Sequence, residues 1–230
     1  MKALQKFGGF AALYMALAHL TGLIIFIVIL DYISITDLAQ KVAMNVDNQA
    51  VVFSTNLLMY VFFGFFLIVF SLALYNRLKA GAPALIQVAT VIGIIWAGSL
   101  IASGMVANAA LTSVVAINAT DPTQAALTWQ GIEPVMDGLG NANGEILGGL
   151  MTLLISLAAL RAGELPRGLN IFGLVVGTVG IISLVPVLTG TLGPVFGLTQ
   201  IIWFIWMGIV LLRSDPVEAV ATEVLRPAWS

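Results

Sequence analysis

ALIQVATVIGIIWAGSLIASGMVAN, residues 84–108, runs for 25 residues without an Asp, Glu, Lys or Arg. At a rise of 1.5 Å per residue, about 20 apolar residues cross the roughly 30 Å hydrocarbon layer of a bilayer. Five further stretches read the same way, at about 8–31, 50–75, 142–161, 168–188 and 195–212. Only helices or closed barrels satisfy their own backbone in lipid, and runs this long and continuous are helical. The expected fold is all-α: a six-transmembrane-helix bundle over 1–213, followed by a short cytoplasmic tail, 214–230.

Composition agrees. The chain is 60% hydrophobic and 9% charged, with a mean hydropathy of +1.07. A soluble domain of 230 residues needs a more charged surface. Six crossings and their connections use nearly the whole sequence, so a separate soluble domain does not fit. The net charge of −2 provides no field for nucleic acid. The absence of cysteine removes disulfides, thiolate metal sites, iron–sulfur clusters and thiol nucleophiles. The first apolar run, from about Phe7 to Leu30, is roughly twice the core of a signal peptide and lacks a small-x-small cleavage pattern before Asp31, so it reads as a retained span.

Lys2, Lys6, Arg77, Lys79, Arg161, Arg167, Arg213 and Arg226 fall on one side of the six spans, and Lys41 alone on the other. The positive-inside rule then places both termini in the cytoplasm, with the chain in a bacterial-type inner membrane. The outer face carries Asp31, Asp37, Asp47, Asp121, Glu133 and Asp137 and is acidic. Its first loop has a capping pattern at Ser34–Asp37 and an apolar stripe Leu38, Val42, Val46, as expected of a short interfacial helix. The loop from Asn118 to Gly140 should be partly helical, starting at Asp121-Pro122, broken by Gly131 and Pro134, and anchored at the interface by Trp129. Pro186 and the run Thr189-Gly-Thr-Leu-Gly193-Pro194 read as a tight outer turn.

An ionisable side chain inside a bilayer costs a few kcal/mol or more unless it has a partner or a wet cavity. Two lie within the spans. His19 shares a face with Ala12, Ala16 and Gly22, which turns it toward other helices. There a histidine either bonds a neighbouring helix's hydroxyl or carbonyl, or acts as an axial ligand to haem or a chlorin, or as a proton relay. A single histidine excludes bis-histidine ligation within one subunit. Glu145 opens the fourth span, where Asn141, Glu145, Gly148, Thr152 and Ser156 form one polar and small stripe. Asn56, continued by Tyr60, and Asn108 and Gln200 lie at similar depth on other spans. The expectation is that Asn56, Asn108, Glu145 and Gln200 line one outward-opening pocket with His19 at its floor. Against it stands the plainer use of such groups as interhelical glue. Gly173, Gly177 and Gly180 form a close-packing face, and no zinc-protease, Ser/His/Asp or phosphate-loop pattern occurs.

The run Gly-Glu145-Ile-Leu-Gly-Gly, the turn Glu164-Leu-Pro-Arg167-Gly-Leu with Gly173 and Gly177 after it, and the ending Gln200-Ile-Ile-Trp203-Phe-Ile-Trp206-Met-Gly208 together resemble a bacterial family of multi-pass membrane proteins grouped under a domain of unknown function. The resemblance implies architecture and membrane location and transfers no catalytic residues. Three functions compete. The first is binding or transport of a small apolar or amphiphilic molecule in the polar pocket. The second is an accessory subunit that binds partner membrane subunits or pigments. The third is an intramembrane enzyme with Glu145 and His19 as acid and base.

Overall fold

The computed structural model describes residues 2–140 and 144–213, and the tail from 214 onward lies outside them. Among the described residues every regular element is helical. Helix α1, Lys2–Leu23, continues through a π-helical segment, Ile24–Ile29. After a short turn come α2, Leu38–Asp47, and α3, Gln49–Asn56. A second π segment, Leu57–Phe62, joins α3 to α4, Phe63–Leu78. Helices α5, Pro83–Asn118, and α6, Pro122–Leu139, follow. A third π segment, Gly144–Gly148, leads into α7, Gly149–Ala162. The chain then forms α8, Arg167–Ile182, and α9, Pro186–Arg213.

Among the described residues, five helical stretches are long and apolar enough to cross a membrane: Lys2–Ile29, Gln49–Leu78, Pro83–Asn118, Glu145–Ala162 and Pro186–Arg213. The remaining apolar helix, Arg167–Ile182, has 16 residues, fewer than the expected 168–188. It stops because the backbone turns at Ser183–Val185, ahead of Pro186. Large apolar side chains such as Ile95 and Ile202, each over half exposed, cover the outside of the bundle. Such a surface suits lipid.

Neighbour contacts close a ring in the order α1, α4, α5, α7, α8, α9 and back to α1. Short turns make α4 with α5 and α7 with α8 antiparallel hairpins. Small residues set the closest approaches. A Cβ at Gly9 would stand 3.1 Å from the Gly208 carbonyl, and one at Gly177 would stand 2.6 Å from the Gly149 carbonyl. The centre is aromatic: Phe70 lies edge-on to Trp203 and Phe204 with centroids 5.9 and 5.7 Å away, and Phe63 meets Phe204 and Trp96 at 6.0 and 5.8 Å. This fill occupies the half of the bundle nearer Arg77, Arg161, Arg167 and Arg213, hereafter the basic end. There the Arg77 Nε–Glu164 Oε2 ion pair, 3.1 Å, ties α4 to the α7–α8 turn. The turn closes on Gly163 at φ 66°, and Asn170 Nδ2 donates to the Glu164 carbonyl.

At the opposite, acidic end the sequence-based picture needs revision. Helix α5 has 36 residues, about 54 Å, well beyond a 30 Å hydrocarbon layer. Helix α6 runs back along it, unbroken by Gly131 or Pro134. A proline deletes only one backbone bond, and packing on α5 with two side-chain bonds holds α6 in place. Ser103 Oγ donates to the Met136 carbonyl at 2.9 Å, and Ser99 Oγ donates to the Leu139 carbonyl. The stretch expected as a loop is therefore mostly helix. Asp37 caps α2 by accepting from the Gln40 backbone N–H, 2.9 Å. The stripe residue Val42 packs with Ala110, Val114, Ala125 and Trp129 in a small second core. Trp129 is buried there, 2% exposed, and is not an interface anchor. The expected turn at 189–194 is helical as well: α9 starts at Pro186 and carries Pro194 inside it. Proline fits the first helical turn, and Pro194 falls only about two turns further in.

Candidate functional site: a two-chambered cavity at the acidic end

Counted at 1.5 Å per residue from the basic end, His19, Ser99 and Gln200 lie about 20–26 Å up their helices, in the last third of a 30 Å layer. The aromatic fill stops below this level, and a cavity opens above it. Its larger chamber, about 480 Å³, is floored by Phe63 and Trp96 and lined by His19, Glu145 and Gln200. A smaller chamber, about 260 Å³, lies toward the acidic end between Tyr32, Asn45, Asn56, Trp129, Glu133 and Asp137. His19, Leu23, Ile27, Met59 and Tyr60 line both and so form the wall between them.

The helices are wide where they border this space. All three π segments contribute to it: Ile24, Ile27 and Val28 from the first, Met59 and Tyr60 from the second, and Glu145 from the third. A π turn inserts one residue into the helix and redirects the side chains around it, and such turns are frequent at functional sites. The first ends in an i→i−5 bond, Leu30 N to Ile25 O, 2.8 Å. Its run of Ile and Val has restricted side-chain rotamers that crowd an α-helical turn. In the second, Met59 is pressed onto Gly22 of α1, where a Cβ would fall 1.7 Å from its sulfur.

The ring nitrogens of His19 face different surroundings. Nδ1 is buried and has no hydrogen-bond partner, and Nε2 lies 3.9 Å from the Cβ position of Gly197 on α9. The ring stands edge-on to Phe63, centroids 6.2 Å apart. One helical turn earlier on α9, Glu145 Oε1 lies 2.5 Å from the Cβ position of Gly193. Cβ positions four residues apart on a helix are about 6 Å from each other. The two glycines thus form a track along which the carboxylate and the imidazole both reach the same wall. Glu145 Oε2 sits 3.2 Å from Ser183 Oγ at the end of α8. The indole N–H of Trp96 is buried without a partner. An unmade bond at a buried polar group costs about 1–3 kcal/mol, so the site holds bonding capacity that the protein does not use itself.

The amides are distributed differently from a single ring of pocket residues. Asn56 Nδ2 donates to Asn108 Oδ1 at 3.0 Å, and Asn108 Nδ2 donates to the Phe53 carbonyl at 3.2 Å, knitting α3 to α5. Asn56 also lines the smaller chamber, whereas Asn108 lines neither. Gln200 and Thr152 bond each other across α9 and α7, with Gln200 Nε2 donating to Thr152 Oγ1 at 3.0 Å. Tyr60 borders both chambers. Asn141 falls outside the described residues.

A charged roof, built from groups that lie far apart in the sequence, covers the smaller chamber. Tyr32 OH donates to Glu133 Oε1 at 2.5 Å, and Lys41 Nζ pairs with the same oxygen at 2.8 Å. Trp129 Nε1 donates to the Tyr32 hydroxyl at 3.2 Å, and the Lys41 ammonium lies 5.0 Å from the centroid of the Tyr32 ring. Burial first, then the hydrogen bond and charge of Glu133, push the Tyr32 phenol well above its ordinary range. Roughly ninety to a hundred residues separate these partners, too far for any local pattern to link them. Among the described residues no group of three His, Cys, Asp or Glu side chains is placed to hold a metal ion.

Comparison with family models, with curated proteins and with solved structures finds no match, so the chemistry of this cavity rests on its own residues.

Proposed function

We propose that the chain is a six-crossing protein of a bacterial inner membrane, with both termini cytoplasmic, that binds or transports a small apolar or amphiphilic molecule through its outward-side cavity. The observation that carries this reading is the larger chamber itself. At about 480 Å³ it falls within the 300–1,000 Å³ of small-molecule sites. It is mostly apolar, yet it borders His19, Glu145 and the Trp96 indole. Leu20 of α1, Ile24 and Val28 of the π segment that continues it and Leu198 of α9, all exposed, frame its edge, so the approach from lipid is apolar. The second chamber leads toward the acidic face. A membrane-soluble molecule thus has an entrance matched to its body and polar groups to orient it.

Gly197→Leu tests the proposal. The Cβ position of Gly197 has His19 Nε2 as its only neighbour within 4 Å, so a leucine there grows into the chamber without displacing backbone. Protein extracted gently from membranes should carry a co-purifying small molecule detectable by native mass spectrometry, and Gly197→Leu should lose it while keeping its thermal stability. The same small-molecule profile in both proteins would refute the proposal.

A further inference from the structure

The larger chamber is bordered by polar groups that the protein itself leaves unserved, and together they call for partners of both senses. Glu145 needs a donor. Its Oε2 lies 3.2 Å from Ser183 Oγ, but that hydroxyl has one proton and stands nearer the Gly180 carbonyl, at 2.7 Å. Its Oε1 reaches the wall at Gly193, where glycine supplies no side-chain donor. His19 needs both a donor and an acceptor, because a neutral imidazole carries one N–H and one lone pair. Its Nδ1 is buried without a partner, and its Nε2 faces the wall at Gly197. Trp96, on the floor, needs an acceptor for an indole N–H that is buried and unpaired. The other polar side chains of the lining are engaged: Gln200 Nε2 donates to Thr152 Oγ1 at 3.0 Å, and Tyr60 has an interaction of its own. The rest of the lining is apolar, and the exposed Leu20, Ile24, Val28 and Leu198 lead from it to lipid.

We infer that the larger chamber takes an uncharged amphiphile whose head is a hydroxyl group, donating to Glu145 and accepting from His19 or Trp96, with its apolar body leaving along Leu20 of α1 and Leu198 of α9. This rests on the binding function proposed above and specifies the class of ligand. A hydroxyl has one donor and two acceptor lone pairs, so a single group answers both senses. An ether or ketone only accepts, and leaves Glu145 without its donor. An ammonium only donates, and leaves the indole N–H unpaired. A sulfate or carboxylate brings a second negative charge beside Glu145.

The test uses the full chain in lipid nanodiscs, titrated with dodecanol, dodecyl methyl ether, dodecylammonium and dodecyl sulfate, with empty discs as the blank. Native mass spectrometry reads the occupancy of the protein by each probe. Dodecanol should bind about tenfold tighter than the ether, which lacks the proton that Glu145 accepts, and tighter than either charged probe. Glu145→Gln is close to isosteric and puts an amide, which both donates and accepts, in place of the carboxylate. It should therefore serve the ether as well as the alcohol and reduce the preference to about twofold or less. His19→Phe and Trp96→Phe each keep an aromatic ring in place, and at least one of them should weaken dodecanol about three- to tenfold. Equal binding of alcohol and ether, tighter binding of the ammonium or the sulfate, an alcohol preference unchanged by Glu145→Gln, or dodecanol binding unchanged by both aromatic variants would overturn the hydroxyl assignment. Those outcomes leave the cavity reading standing. That reading fails separately if Gly197→Leu alters the binding of none of the four probes.

Discussion

His19 and Glu145 stand out in the sequence because an ionisable group in an apolar run needs a cause, and the structure places both on one cavity. The neutral polar residues are less transparent. Asn56, Asn108 and Gln200 are visible as polar positions, but sequence does not tell which amide lines a cavity and which bonds a neighbour. Asn108 and Gln200 turn out to be satisfied by Asn56, the Phe53 carbonyl and Thr152. Gly193 and Gly197 are harder still. A Thr-Gly-Thr-Leu-Gly-Pro run imitates a turn, whereas these glycines serve as a smooth helical wall for two charged or polar groups. At this scale Tyr32 gives a pH prediction. Its phenol ionises at higher pH in the folded protein than in the unfolded chain. The stability this contributes is therefore complete below the ordinary tyrosine range of about pH 10 and is lost as pH rises toward the folded-state value. Tyr32→Phe should cost about 1–3 kcal/mol near neutral pH, because Glu133 and Trp129 lose a partner. It should also flatten the alkaline decline in thermal stability above about pH 10 relative to the parent. Parallel alkaline limbs for the two proteins would contradict this role.

The elements are legible in kind and only partly in extent. Apolar runs mark the crossings, and basic residues at their ends locate the short hairpins α4–α5 and α7–α8. The long reach of α5 and the unbroken course of α6 have no such mark in the sequence. Glycine and proline predict breaks well in water, but Pro134 and Pro194 sit in helices supported by neighbours. The π segments have no reliable sequence signal, since one inserted residue in a turn depends on what presses against it, as Met59 presses against Gly22. The α7–α8 contact is the best element for a stability test. Gly177→Ala drives a methyl toward the Gly149 carbonyl at 2.6 Å and the Leu153 amide nitrogen at 2.7 Å, backbone that cannot step aside. It should destabilise by about 1–3 kcal/mol, the usual cost of overpacking. Gly98 on α5 has nothing within 4 Å of its Cβ position, so Gly98→Ala should be neutral or stabilising by up to about 1 kcal/mol. Thermal unfolding in one detergent compares them, and equal shifts would contradict the close-packed hairpin.

For the molecule as a whole, the dense aromatic fill packs the basic end of the bundle, and the cavity in which the proposed ligand would sit opens at the acidic end. The ring of helices carries both ends of the described chain at the basic end, with Gln5 Nε2 of α1 donating to the Leu211 carbonyl of α9 at 2.9 Å. Reporter fusions after Arg213 and before Lys2 should therefore report the same side of the membrane, and opposite sides would contradict the proposed six-crossing topology. Access to the cavity inside the bundle is directly measurable, because the sequence has no cysteine. Single cysteines would be introduced as Gly197→Cys, beside the cavity, and as Ala158→Cys, at a fully buried core position. Both would be exposed in intact membranes to a membrane-permeant maleimide. The account predicts steady modification at 197 and none at 158 over the same period, whereas a 197 thiol as inert as the one at 158 would contradict it.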